Sequence, residues 1–268
     1  MKKTLRLFAL SLLATVTSSA HDTWLQVTTP RIAAGETVQL ALTSANNFKG
    51  LEYNIEAWRV RRAFGRVAGA AFPITAGATA ETSLTLTAQP PRPGVALLCV
   101  ELKPKLLELE PKLIGEYLEE IHATPELRAQ WTAVPAPKRW RENYTKLTKT
   151  YVRVGEPPAA DRSWAEPAGL ALEIVPEQDP TALRAGDEFS VRVVQSGLPL
   201  AGLPLGFVCE GETVHHVAVT DDAGRARARL DRSGRWLVHG TRLRRSAEPD
   251  LEWESDFITL VVDVAPSR

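Results

Sequence analysis

Residues 213–241 read TVHHVAVTDDAGRARARLDRSGRWLVHGT, and this stretch decides the fold. Runs of β-favouring residues at 213–220, 225–230 and 235–241 are separated by Asp-Asp-Ala-Gly and by Asp-Arg-Ser-Gly. A glycine after Asp, Ala or Ser is typical of hairpin loops that need a left-handed residue. The stretch therefore predicts three short strands joined by tight turns.

Four further strand candidates surround this stretch in the second half of the chain, at 171–175, 188–194, 203–209 and 253–264. Together they make seven short strands within about one hundred residues, a density typical of an immunoglobulin-like sandwich. The second half is therefore predicted to be an immunoglobulin-like β-sandwich.

The first half also predicts a sheet, but a helical segment interrupts it. Strand-like runs occur at 23–28, 36–43, 54–60, 81–88 and 95–102. Apolar residues from Leu106 to Ile121 instead recur every three to four positions, which indicates one amphipathic helix, or two divided at Pro111. The sequence thus predicts a mostly β protein of two immunoglobulin-like β-sandwich domains in series, with these boundaries: 21–155 with a helical excursion at about 103–143, a linker at 156–168, and 169–268.

Residues 1–20 have the pattern of a secretion signal. Basic residues at positions 2, 3 and 6 precede the apolar run Leu7 to Val16, and Ser18 and Ala20 occupy the small-residue positions before a cut. Cleavage would leave His21 as the first residue of a protein in the periplasm or outside the cell, with no membrane span after cleavage.

Net charge and the few sulfur-containing residues limit which partners and metal ligands are possible. Removing the signal lowers the basic count from 32 to 29 against 32 acidic residues, a net charge of −3, which argues against a nucleic-acid partner. Met1 is the only methionine, so thioether ligation of a metal is excluded once the signal is removed. Cys99 and Cys209, the only cysteines, are open to either a disulfide or two buried thiols.

Several short motifs together resemble one known family, the domain of unknown function 4198 proteins, which are related to periplasmic components of nickel and cobalt uptake systems. The resemblance covers nearly the whole chain after residue 20. It implies two β-sandwich domains in series and a loose association with metal transport. Relatives often continue the helical motif into Gly-Leu, where this chain has Ile121-His122. The motifs are His21 to Leu25, Tyr117 to Glu120, Tyr144 to Lys149, Leu172 to Pro176 with Asp179-Pro180, Gly197 to Leu200, Thr220 to Gly224, Gly234 to Leu237, Trp253 to Ser255 and Thr259-Leu260.

An amino-terminal histidine suggests a transition-metal site. The α-amine and ring of His21 would form one chelate, and imidazole and amine nitrogens suit Cu, Ni or Co. The second ligand would be His239 or, at lower rank, His215 or His216, only one of which can join because neighbours in a strand face opposite ways. The alternative is that His21 simply follows the cleavage site and that His239 is a hydrogen-bonded histidine at a strand end without a metal. His122 is expected to be solvated or to end a helix.

Three functions follow from these observations. The first is an exported binding or accessory protein that handles Cu, Ni or Co, with a metal ion or an envelope protein as partner. The alternatives are a structural or interaction module of the cell envelope, and a secreted enzyme acting on carbohydrate. The sequence singles out no catalytic residue and no organic cofactor, so a role other than catalysis is favoured. Lys146 and Lys149 are expected on a solvated face, with an anion site as the alternative.

Overall fold

The computed structural model describes residues 21–268, so the predicted signal peptide lies outside the described residues. Strands dominate this part of the chain, and the prediction of a mostly β protein is confirmed. Within it, no helix has the length and apolar character that a membrane crossing requires. The strands are β1 (Asp22–Val27), β2 (Arg31–Ile32), β3 (Val38–Ala45), β4 (Tyr53–Asn54), β5 (Val60–Val67), β6 (Ala70–Thr79), β7 (Leu84–Ala88), β8 (Gly94–Leu102), β9 (Lys105–Leu109), β10 (Trp140–Val154), β11 (Leu172–Pro176), β12 (Glu188–Gln195), β13 (Leu198–Pro199), β14 (Pro204–Cys209), β15 (His216–Val219), β16 (Arg225–Arg229), β17 (Gly234–Arg245) and β18 (Trp253–Val264).

The strands form one large sheet and one small sheet. The large sheet has the order β1-β3-β7-β6-β5-β8-β10-β18-β17-β14-β15, and the small one has the order β11-β12-β13 with β16 also on β12. Most neighbours are antiparallel, but β10 runs parallel to β18, pairing residues 142–150 with 253–261. Hydrogen bonds therefore join strands from both halves of the chain in one sheet.

Strand β8 is buried on both faces, which explains its nearly continuous apolar sequence. Leu97 and Cys99 pack into a core shared with the second half of the chain. Leu98 and Val100 point the other way, into the core of the first half. The central sheet thus separates two apolar layers, while the division into two domains in series stays a prediction.

Two helices lie between β9 and β10: α1 (Ile114–Glu120) and α2 (Pro125–Thr132). The apolar face of α1 packs on Trp140 and Trp253 of the central sheet. The helical pattern expected from Leu106 onward begins later in the structure, because residues 105–109 form β9 and pair with β10. Pro111 opens the short 3₁₀ turn Pro111–Leu113 that follows β9 and leads into α1.

Two expectations about single residues are settled by burial. Cys99 and Cys209 are both free, buried thiols. Lys146 and Lys149 are buried rather than solvated, so that expectation is wrong. Lys149 forms an ion pair with Glu173, with 2.8 Å between Nζ and Oε2, and β10 buries these side chains between layers instead of presenting them to water.

Candidate metal centre

Three histidines converge in the structure: His122, His215 and His239. One ring nitrogen from each lies within 4.8 Å of the other two, and Nε2 of His239 is 3.0 Å from Nδ1 of His215. Among residues 21–268, this is the one group of three or more potential His, Cys, Asp or Glu ligands that lie this close together. The site is therefore defined by imidazole nitrogens.

The His215–His239 pair is placed by β14 and its neighbours. His239 lies on β17 opposite Gly206 of β14, and β15, which begins directly after His215, pairs with the other edge of β14. A Cβ atom at position 206 would lie 2.2 Å from Nε2 of His239. Only glycine at this position leaves room for the imidazole.

Asp22 orients the ring of His239. Its Oδ2 lies 3.0 Å from Nδ1 of His239, so Nδ1 carries the hydrogen and Nε2 faces the other two histidines. The start of β1 is held there by Thr259, which pairs with His239 in the sheet and donates a hydrogen bond from Oγ1 to the carbonyl of Thr23 at 2.7 Å. A carboxylate behind a histidine is the usual support of a metal ligand.

His122 reaches the cluster from the turn that ends α1. Its φ of 50° is left-handed, and its N–H and that of Ala123 bond to the carbonyls of Glu119 and Leu118 at 3.0 and 2.8 Å. This is the Schellman arrangement, in which glycine is the usual residue at the left-handed position. Nε2 of His122 is buried and has no hydrogen-bond partner in the structure. A buried, unpartnered nitrogen close to two other imidazole rings fits a metal ligand.

Burial and mutual repulsion keep two of the rings neutral. Burial and the charge of His239 lower the pKa of His122, and burial with the charges of His239 and His122 lowers the pKa of His215 to about 4. Burial opposes the protonation of His239, but the charge and hydrogen bond of Asp22 outweigh it and raise its pKa. At neutral pH, His122 and His215 are therefore neutral, and each ring has one nitrogen with a lone pair, as metal binding requires. In the structure, Nδ1 of His215 shares a hydrogen bond with Nε2 of His239, which a bound ion would replace.

The structure brings together only some of the histidines that the sequence suggested as metal ligands. His239 and His215 come together, whereas the ring of His21 stacks on Tyr53, with centroids 5.0 Å apart, and lies outside the cluster. His216 is exposed and stacks beside Trp236, as expected for the neighbour of His215 in an extended chain.

Sequence reasoning missed His122 and Asp22. His122 lies 93 residues before His215 and has no ligand spacing with it, so only the folded chain brings the two together. The one available signal is the departure at Ile121-His122 from the Gly-Leu of relatives. Asp22 belongs to the quoted motif His21 to Leu25, where the neighbouring His21 is the more obvious metal ligand.

The arrangement suits a divalent first-row transition metal. Three imidazoles with a carboxylate behind one of them form a three-ligand set, which leaves a coordination position for water or another molecule. Neutral imidazole binds Cu, Ni, Co and Zn, and affinity in such sites is usually highest for Cu(II).

Comparison with known proteins gives a family but no established activity. The family model described as Domain of unknown function (DUF4198) matches residues 18–242, more than half of the chain. No curated protein matches the sequence. Similar solved structures include a 1.5-MDa bacterial ice-binding adhesin (7% identity, TM-score 0.24, 92% of this chain), the D00-D0 domain of Intimin (9%, 0.22, 91% of this chain and 99% of that one) and the Escherichia coli adhesin FdeC (13%, 0.21, 93% and 65%). The chain spans 65% of the length of the ice-binding adhesin chain. TM-scores this low carry no argument about function.

Proposed function

We propose that this chain, which belongs to the DUF4198 family, is an exported binding or accessory protein that holds Cu, Ni or Co between His122, His215 and His239. The observation that carries the proposal is the convergence of one ring nitrogen from each of three histidines within 4.8 Å, beside a buried Nε2 of His122 without a partner. Burying an unpaired ring nitrogen costs free energy, and coordination of a metal ion would offset that cost.

Each residue of the proposed site has its own role. His239 supplies one nitrogen from β17, His215 supplies one from the residue directly before β15, and His122 supplies the third from the helical segment. Asp22 accepts the Nδ1 hydrogen of His239 and does not bind the metal itself. The bound ion would act as a Lewis acid or as cargo, with its remaining position open.

His21 becomes secondary in this proposal. Its ring stacks on Tyr53, and its carbonyl accepts a hydrogen bond from the ammonium group of Lys146. A histidine brace built on His21 remains a separate hypothesis, which the same titrations of a His21→Ala variant with verified signal cleavage would test.

The compartment and domain organisation complete the proposal. Export to the periplasm is supported by the signal pattern of residues 1–20, and the intact mass of the exported protein would show whether it begins at His21. Two β-sandwiches in series, the first carrying the helical segment, remain the proposed organisation. The two apolar layers on either side of β8 support it.

Calorimetric titration of Cu(II), Ni(II) and Co(II) into the metal-free exported protein tests the function. We expect submicromolar binding of one ion in the wild type and a loss of at least tenfold in His215→Ala and in His239→Ala. His216→Ala is the matched control, because this exposed neighbour lies outside the cluster and should leave affinity unchanged. Binding weaker than micromolar in the wild type, or equal in all these variants, would exclude the site.

A second candidate function, an interaction module, is favoured by strand β15. This strand ends the large sheet, and Val217 and Val219 on it are 50% and 59% exposed, next to Val214 at 70%. An exposed apolar edge strand is a surface on which another chain can add a strand. A carbohydrate-acting enzyme stays a prediction that no observation here favours. If the titrations fail, the edge of β15 becomes the leading site, and Val217→Lys should abolish binding to any envelope partner recovered by cross-linking.

A further inference from the structure

Glu142 is a fully buried carboxylate that contacts α1. It is 0% exposed, and it lies among Tyr117, Trp140 and Ser255. The Tyr117 hydroxyl is 2.7 Å from Oε1 and 2.8 Å from Oε2, Nε1 of Trp140 donates to Oε2 at 2.8 Å, and the Ser255 hydroxyl donates to Oε1. Within residues 21–268, no salt bridge involves this carboxylate. Hydrogen bonds from uncharged groups therefore satisfy a group that is expensive to bury.

Only one of these donors comes from outside the central sheet. Trp140 is on β10 with Glu142, and Ser255 is on the paired strand β18. Tyr117 is on α1, and it is itself 3% exposed. Its hydroxyl therefore supplies the buried polar link between α1 and the sheet, inside an otherwise apolar contact.

This link lies one helical turn before the candidate ligand. The N–H of Ile121 bonds to the carbonyl of Tyr117 at 3.1 Å, and His122 follows directly in its left-handed conformation. Because α1 is only seven residues long, its last turn depends on tertiary contacts rather than on helix propensity. The position of Tyr117 thus sets the position of the turn.

We infer that Tyr117 and Glu142 are positioning residues that hold His122 over the His215–His239 pair. This inference rests on the proposed function. In this arrangement, the sheet and Asp22 hold the His215–His239 pair, and α1 positions the third ligand, His122. Loss of the Tyr117 hydroxyl should therefore weaken the third ligand and leave the pair intact.

The test is Tyr117→Phe, which removes only the hydroxyl, studied in the full-length exported protein. We expect its affinity for Cu(II) and Co(II) to fall about tenfold, the usual loss when a group behind a ligand is removed. The visible spectrum of the Co(II) form should shift towards that of His122→Ala. In the double variant, Tyr117→Phe should add no further loss to His122→Ala, because both changes act on the same ligand. Glu142→Gln should weaken metal binding in the same way. The NH₂ group of the glutamine cannot accept a hydrogen bond, so one of the buried donors around position 142 loses its acceptor.

Tyr151→Phe is the matched control. Its hydroxyl is also buried and donates to the carbonyl of Trp164 at 3.1 Å, but it lies in the core shared with the second half of the chain. It should lower the free energy of unfolding without changing metal affinity or the Co(II) spectrum.

The outcomes separate this inference from the proposed function. If the wild type shows no metal binding that depends on His215 and His239, the proposed function fails and this inference fails with it. If the wild type binds but Tyr117→Phe keeps its affinity and spectrum, the function stands and the inference is overturned. An equal loss from Tyr117→Phe with and without His122 would also overturn it, because the effect would then not pass through His122.

Discussion

At the scale of single residues, Gly206 is the most restrictive position of the candidate site. A methyl group there would approach Nε2 of His239 to 2.2 Å and Cδ2 to 2.8 Å, so the ring would have to move. We expect Gly206→Ala to lower the free energy of unfolding by about 1–3 kcal/mol, a typical cost of overpacking. Titration should show metal affinity reduced at least tenfold, because Nε2 no longer faces His215.

Gly115→Ala provides the comparison for this change. Gly115 lies within α1, and a Cβ atom there would meet nothing within 4 Å. Alanine should stabilise the helix by about 0.5–1 kcal/mol and preserve metal affinity. Equal metal affinity in both glycine variants would show that Gly206 does not control the site.

His122 pairs a strained backbone with a functional side chain. Its φ of 50° costs about 1 kcal/mol in most residues and almost nothing in glycine. His122→Gly should therefore be about 1 kcal/mol more stable to urea than His122→Ala, while both lose metal affinity to the same extent. Equal stability of the two variants would mean that the turn relaxes when the imidazole is absent.

At the scale of elements, the buried ion pair of Lys149 and Glu173 joins β10 to β11. Nζ of Lys149 lies 2.8 Å from Oε2 of Glu173 and donates to the carbonyl of Ile174 at 2.8 Å. Glu173 also accepts three backbone N–H groups, from residues 168, 169 and 170. Lys149→Met should lower the free energy of unfolding by about 3–5 kcal/mol, because it leaves a buried carboxylate without its cation. Urea unfolding of Lys149→Met with and without Glu173→Gln checks this, since the second change should restore part of the loss.

The same pair gives the stability a pH dependence of known sign. Burial alone would raise the pKa of Glu173, but Lys149 and the backbone N–H groups lower it below its ordinary value of 4.5. Stability from this group is therefore present above pH 4.5 and is lost as pH falls through the lowered pKa. Burial would lower the pKa of Lys149, but Tyr151 and Glu173 raise it above 10.5, so its contribution is lost as pH rises beyond that value. In thermal melts, the melting temperature of the wild type should fall more steeply with decreasing pH than that of the variant carrying both Lys149→Met and Glu173→Gln.

The sequence predicted elements better than it predicted their contacts. Strands such as β17 and β18 were found because β-favouring runs and Gly-containing turns are local signals. The helical spacing from Leu106 misled at β9, where pairing with β10 overrides a local pattern. The burial of Lys149 and the meeting of His122 with His239 depend on strands distant in sequence, so no local pattern contained them.

At the scale of the whole molecule, the two halves share their central sheet. Strands β10 and β18 pair in parallel over nine residues of each, and Leu97, Cys99 and Tyr151 from the first half lie in the core of the second. The second half therefore lacks part of its apolar core without β8 and β10. We expect the stability of the second half to depend on the first half for this reason.

We therefore expect the protein to unfold by heat in one cooperative transition, although chains above about 150 residues often unfold in steps. Differential scanning calorimetry should give a calorimetric enthalpy close to the van't Hoff enthalpy, because the second half loses part of its core when the first half opens. Lys149→Met, which breaks the ion pair between β10 and β11, should move the whole transition to lower temperature without dividing it. Two separate transitions, in the wild type or in this variant, would show that the two halves fold independently and that the parallel β10–β18 pairing adds little to either.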